Sequence, residues 1–293
     1  MTIKKIKLSE KKERWARNRN VVLRGKRLNY NASIQIEYNK KLQKLINQMT
    51  REVNYKITKL FMRLPVTPLG AMDDSIGSQA RILMNKLMDK FDKLFALEAQ
   101  TLASHMLERT LKSSENNLKI SLKELSGGLT IKTSIVPPEL TDVITASIAD
   151  NVVLIQSIPE QYFKDITGVV MRSITTGQGM YDLLPEIKKY GQITERRAEL
   201  LALDQSRKAY TSVNVTKLNK LGVKKFEWLH SGGGQTPRES HLNILDGKVF
   251  SFENLENEQI ALGVPKADRG LPGYPVNCRC TLVPVIEFGD EDD

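Results

Sequence analysis

Leu42, Leu45, Ile46, Met49, Val53, Ile57, Leu60 and Phe61 recur at steps of three and four residues, which lines one face of a helix. The stretch LPVTPLGAMDDSIGS, with two prolines and two glycines, ends that helix. From about Ser78 a second pattern runs through Ile82, Leu83, Leu87, Phe91, Leu94, Phe95, Leu102, Met106 and Leu107. A third, short one takes in Leu118, Leu122 and Leu125 before Gly127 and Gly128 stop it. Packed face to face, these amphipathic segments predict an elongated N-terminal helical hairpin or bundle over residues 31–135, with the Met and Phe stripe as its core.

Pro137 and Pro138 open the next helix, which carries Val143, Ile144, Ile148, Val152 and Ile155 and continues to Gly177. A short helix is expected around Leu183 to Ile187. Thr194 then reads as the cap of a long helix that stops at Gly222. Arg197, Asp204, Gln205 and Lys208 lie at helical spacing within it, as a polar stripe that faces a partner or is paired internally. Beyond Gly222 the period changes to two. VKKFEWLH, GKVFSF and CTLVPVIEF are the strand candidates, joined by long polar loops. The predicted fold class is therefore mainly α with a C-terminal α+β unit, its β-containing part spanning residues 223–288.

Charge adds a feature that hydrophobicity does not show. The 293 residues carry a net +10, and residues 1–30 hold most of it. This basic N-terminal arm contains Lys4, Lys5, Lys7, Lys11, Lys12, Arg14, Arg17, Arg19, Arg24, Lys26 and Arg27 against Glu10 and Glu13, a net +9. Residues 289–293, GDEDD, form a short acidic tail. A basic arm on a nearly neutral body is a candidate contact for DNA phosphates or an acidic protein surface, and equally a solvated face that aids solubility. Hydrophobic residues make up 40% and charged residues 27%, as in a folded chain with a core. No apolar run approaches the roughly 20 residues of a membrane span, and no export signal precedes the arm. A reducing cytoplasm is the expected compartment of synthesis.

Unusual chemistry concentrates in the last 65 residues or so. PGYPVNCRC holds both cysteines, Cys278 and Cys280. A disulfide across one intervening residue closes too small a loop to gain much entropy. A zinc deaminase needs His-x-Glu and Cys-x-x-Cys, and neither is present. HSGGGQTPRES lacks the Gly-Lys-Ser/Thr ending of a nucleotide phosphate loop. His230 or His241 could serve a cysteine nucleophile as base, but no catalytic sequence context surrounds the cysteines. His230, His241, Cys278 and Cys280 would complete a Cys2His2 zinc set, against which the Cys-x-Cys spacing is tight. The expectation is a metal-free lock. Buried thiols pack a turn, Asn277 tolerates left-handed geometry, and Arg279 forks onto carbonyls or a carboxylate such as Asp246.

Four blocks in order carry a resemblance: NVVLIQSIPEQYF, ITERRAELLALDQSRKA, LGVKKFEWLHSGGGQTPRESHLNILDGKVFS and RGLPGYPVNCRCTLVPV. They resemble the phage Mu F-like minor head proteins, also called head morphogenesis proteins, over roughly residues 140 to 288. The corresponding domain is taken as residues 136–288. The family's recurring positions fall on Arg197, Asp204, Trp228, Arg238, His241, Gly247, Asn277, Cys278, Arg279 and Cys280. Some relatives carry a further cysteine pair where this chain has TPRESH, and the four-cysteine zinc site that pair implies cannot form here. The resemblance implies a minor capsid component of the virion, assembled in the host cytoplasm and placed at the portal vertex. It implies work in head morphogenesis and in DNA packaging or ejection, with the portal protein, packaged DNA, and capsid or scaffold proteins as partners. It implies no enzymatic activity and no membrane. The alternative of another class is a zinc-dependent nucleic-acid-binding protein or enzyme.

Overall fold

The computed structural model describes residues 7–17, 22–63, 76–134, 136–177, 180–232 and 236–287. Helices α1 (Glu10–Arg17), α2 (Ala32–Arg63), α3 (Ile76–Leu125), α4 (Pro138–Thr175), α5 (Met180–Lys220) and α6 (Leu255–Ala261) dominate it. Four strands join them: β1 (Val22–Arg24), β2 (Lys225–Leu229), β3 (Val249–Ser251) and β4 (Thr281–Glu287). The described residues are 72% helical with one small antiparallel sheet, so the expected fold class holds.

Two of the expected helix boundaries do not exist. The second and third apolar patterns are one helix, α3, because the row between Leu107 and Leu118 continues through buried Thr110 and Ser114. Their hydroxyls are satisfied by the Met106 carbonyl (2.9 Å) and by Asn214 Oδ1 (2.8 Å), so burial leaves no donor unpaired. Likewise α5 runs unbroken through Leu183–Ile187, Gly191 and Thr194. Thr194 caps nothing; its hydroxyl bonds back to the Tyr190 carbonyl at 2.9 Å. The predicted stop at Gly222 is real. Gly222 takes φ 78, its N–H reaches the Asn219 carbonyl, and the Val223 N–H reaches that of Leu218 at 3.0 Å. Leu218 and Val223 are both buried, as a helix end of this type favours.

The chain divides into two compact units. The first comprises Met1–Ile34, Met106–Ser147 and Leu203–Asp293; the second comprises Gln35–His105 and Ile148–Ala202. The second unit is helical throughout. Its core contains Leu42, Ile46, Met49, Val53, Phe91 and Phe95, with Phe163 stacked 6.2 Å from Phe91. Tyr38 donates to Asn151 at 2.9 Å, and Gln43 to the Glu195 carbonyl at 2.8 Å, tying α2 to α4 and α5. The expected bundle is therefore built from four helical segments, two of them beyond residue 147, and not from residues 31–135 alone.

The first unit holds the sheet, in the order β1-β4-β2-β3. Phe226 and Trp228 alternate inward on β2, as their spacing predicted, and pack with Phe250, Leu282, Tyr210 and Leu118. Pro284 sits in β4, an interior strand, where proline is unusual. Its carbonyl accepts from Gly25, so its missing N–H lies on the β1 side, opposite the point where β1 stops at Arg24.

Where it is described, over residues 7–17 and 22–30, the basic arm is not separable from the body. β1 pairs with β4, and Ala16, Leu23 and Leu28 are buried in the first unit's core. Ser121 and Asn117 of α3 donate to the carbonyls of Lys26 (2.6 Å) and Asn29 (2.8 Å), and Tyr210 of α5 reaches the latter at 3.0 Å. Charge counting registers the cations but not the apolar residues between them that fix the segment. The acidic tail lies outside the described residues.

Candidate functional site

One face of α5 cradles the loop PGYPVNCRC. Asp204 accepts the Asn277 N–H at 2.7 Å, Arg207 donates to the Arg279 carbonyl at 3.2 Å, and Thr211 donates to the Pro272 carbonyl at 2.7 Å. Ser212 pairs with the Tyr274 hydroxyl at 2.6 Å. Positions 204, 207 and 211 share a face because they are three and four residues apart, and 212 lies at its edge. Gly273 has φ 91, and a Cβ there would stand 3.2 Å from Thr211 Oγ1, so only glycine fits this approach without strain. Asn277 itself has φ 59, as its residue type suggested.

The loop delivers both sulfurs to a histidine. His241 lies on a single π-helical turn, Ser240–Leu245, which is followed by Gly247 at φ 73. Its Nδ1 is 3.6 Å from Cys278 Sγ and 3.6 Å from Cys280 Sγ. The three side chains are 2%, 3% and 7% exposed, so they meet in the interior. His241 Nε2 is 3.0 Å from the Asp268 carbonyl, and Trp228 meets the imidazole edge to face at 5.1 Å. The Asp268 carboxylate takes the Arg238 guanidinium at 2.8 Å and the Ser240 hydroxyl at 2.7 Å. Arg238 also donates to the Val276 carbonyl at 2.8 Å, joining the π turn to the cysteine loop.

The electrostatics follow from that convergence. The Cys278 thiol is pushed down, first by the hydrogen bond from Cys280 and then, against burial, by those from His241 and from the backbone of Cys280 and Gly273. Cys280 is pushed up, because Cys278 next to it and burial both favour its proton. Burial pulls His241 down, but its bond to Cys278 and the charge there carry it above its ordinary value. One sulfur of the pair is thus stabilised as a thiolate beside an imidazole.

Several expected residues stand elsewhere. His230 is not in the group: its Nδ1 accepts from Gly232 at 3.1 Å, and its N–H is held by Asp246 at 2.7 Å. Asp246 is therefore occupied and does not meet Arg279, whose side chain is exposed. Arg197 is exposed on α5 within the second unit. Of the basic residues, Lys4, Lys5 and Arg19 lie outside the described residues. Lys12 donates to the Glu124 carbonyl, Arg17 pairs with Glu13 at 2.8 Å, Arg24 with Glu227, and Lys26 with Glu124 at 3.6 Å. Lys7, Lys11, Arg14 and Arg27 are exposed. Sequence reasoning missed Arg207, which stacks 4.6 Å over the Tyr30 ring, and Asp268. The signal for Arg207 was its place three residues after Asp204 in the polar stripe.

Residues 164–283 match the family model described as Phage Mu protein F like protein, a stretch that takes in the cradle, the π turn and the cysteine loop. The chain is also similar to an uncharacterized protein of Haemophilus influenzae, 29% identical over 266 residues. That match covers 88% of this chain and 54% of the relative, so the chain spans about half the relative's length. No solved structure matches.

Proposed function

We infer that this chain, whose residues 164–283 match the phage Mu protein F like family, is a minor head protein of a tailed phage that works in head morphogenesis. The observation that carries this reading is where the match falls. It spans the cradle of α5, the His241 turn and the Cys-x-Cys loop, so the shared sequence contains the whole of this internally bonded site. Those contacts lie between parts of the chain itself. The Asp268 carboxylate, on the residue whose carbonyl meets His241, is engaged by Arg238 and Ser240, which suits a structural protein better than a general acid or base.

The finer reading places the protein at the portal vertex of the virion, with the portal protein as its partner and a part in DNA packaging or ejection. No helix among the described residues is long and apolar enough to cross a membrane. The test is mass spectrometry of purified virions together with co-purification of the portal protein. The expected result is a low-copy virion component that co-elutes with the portal; absence from virions defeats the reading. Direct DNA contact has its own test. Replacing Lys7, Lys11, Arg14 and Arg27 with Gln should flatten the salt dependence of DNA binding by about three to four in log–log slope. An unchanged slope removes DNA as the partner of this surface and leaves the portal.

A further inference from the structure

We propose that His241 Nδ1, Cys278 Sγ and Cys280 Sγ bind one zinc ion, in a structural site that clips the π-helical turn to the Cys-x-Cys loop. The tight sequence spacing argued for a metal-free lock, but spacing counts residues and not the direction in which sulfurs point. Three ligand atoms from two separated segments lie within 4.8 Å of one another, all on buried residues. A tetrahedral zinc with bonds of about 2.3 Å to sulfur and about 2.0 Å to nitrogen sets those atoms about 3.5 Å apart. The two observed S···N separations are 3.6 Å.

The surroundings fit a metal better than a hydrogen-bonded trio. The Asp268 carbonyl can only accept, so its 3.0 Å contact keeps a proton on Nε2 and makes Nδ1, which faces both sulfurs, the nitrogen that would give its lone pair to a metal. A backbone carbonyl behind a histidine is the usual outer support of a metal ligand. One lone pair can take one S–H donor, yet both sulfurs converge on it at equal distance. Thiolate sulfur also finds donors here. Gly273 N–H points at Cys278 at 3.3 Å. The indole N–H of Trp228 is buried beside Cys280, where it favours the thiolate form of that sulfur. Three protein ligands leave the fourth tetrahedral position to water; an open position of that kind is the pattern of catalytic zinc, and the structural assignment here rests on the burial of all three ligands and on the two segments they join.

The test uses the full untagged chain, expressed in zinc-supplemented medium and purified under reducing conditions. Elemental analysis should find about one zinc per chain, and cobalt(II) exchanged into the chelator-stripped protein should develop sulfur-to-metal charge-transfer absorption. His241→Gln, Cys278→Ser and Cys280→Ser should each lower zinc content at least about five-fold, while His230→Gln keeps it. Should the ligand variants fail to fold, titration of the stripped wild-type chain with cobalt decides alone. Wild-type protein with both thiols free, sub-stoichiometric zinc and no cobalt–thiolate absorption overturns the site. Full metal content in the His241→Gln variant overturns the ligand assignment.

Discussion

The backbone of Asn277 stands at φ 59, pinned by Asp204 on one side and by a Cys278 N–H to Pro275 carbonyl bond of 2.8 Å on the other. A side chain with a Cβ costs about 1 to 2 kcal/mol in that region unless, like Asn, it is tolerated there. Asn277→Ala should therefore destabilise the protein by about 1 kcal/mol, while Asn277→Gly stays within about 0.5 kcal/mol of the parent. Urea melts of the two variants check this, and a glycine variant less stable than the alanine one would show that the side chain matters more than the backbone. The left-handed position was legible in the residue type. The partners of Arg279 and Arg207 were not, because they depend on which carbonyls and carboxylates other segments have already occupied. Asp246, the partner expected for Arg279, is held by the His230 N–H.

Helix lengths were legible wherever the buried row is apolar and became illegible where it turns polar. In α3 the row from Leu107 to Leu118 passes through Thr110 and Ser114, and a reading based on hydrophobic period stops there. What supports the helix at that point is a tertiary bond, Ser114 to Asn214 of α5, with Asn214 in turn donating to the Tyr210 carbonyl at 2.8 Å. Ser114→Ala would leave the buried Asn214 Oδ1 without that donor and should cost about 1 to 3 kcal/mol. A double-mutant cycle with Asn214→Ala, read by thermal or denaturant unfolding, should return a coupling of at least about 0.5 kcal/mol. Additive losses would mean the two helices are held at this level by packing alone. The converse lesson comes from α5, which was expected to break between Ile187 and Thr194 but runs on through Gly191. That glycine is buried in the second unit with Thr50 Cγ2 3.4 Å from where its Cβ would stand, so the residue serves close packing within a continuous helix.

At the scale of the molecule, the strand candidates of the C-terminal region were all found, and the missing one was at the other end of the chain. A three-residue strand among basic residues has too short a period to register. β1 exists because Leu23 and Leu28 fill the core beside β4. Deleting residues 1–30 should accordingly lower the stability of the first unit by on the order of 3 to 6 kcal/mol for those two side chains. It should also bare the β4 edge, so that the shortened protein self-associates more readily. Hydrogen exchange of the β4 amides, alongside light scattering, measures both; unchanged protection at Leu282–Val285 would restore the separable arm. The same pairing sets an order in time. Of the four strands a ribosome releases β1 first and β4 last, so β1 has no neighbour and β2 has only β3 until Thr281–Glu287 has emerged. A translation product that stops short of β4 leaves β1 unpaired and β2 with β3 alone, so the sheet itself distinguishes a chain that has reached β4 from one interrupted before it, ahead of any partner.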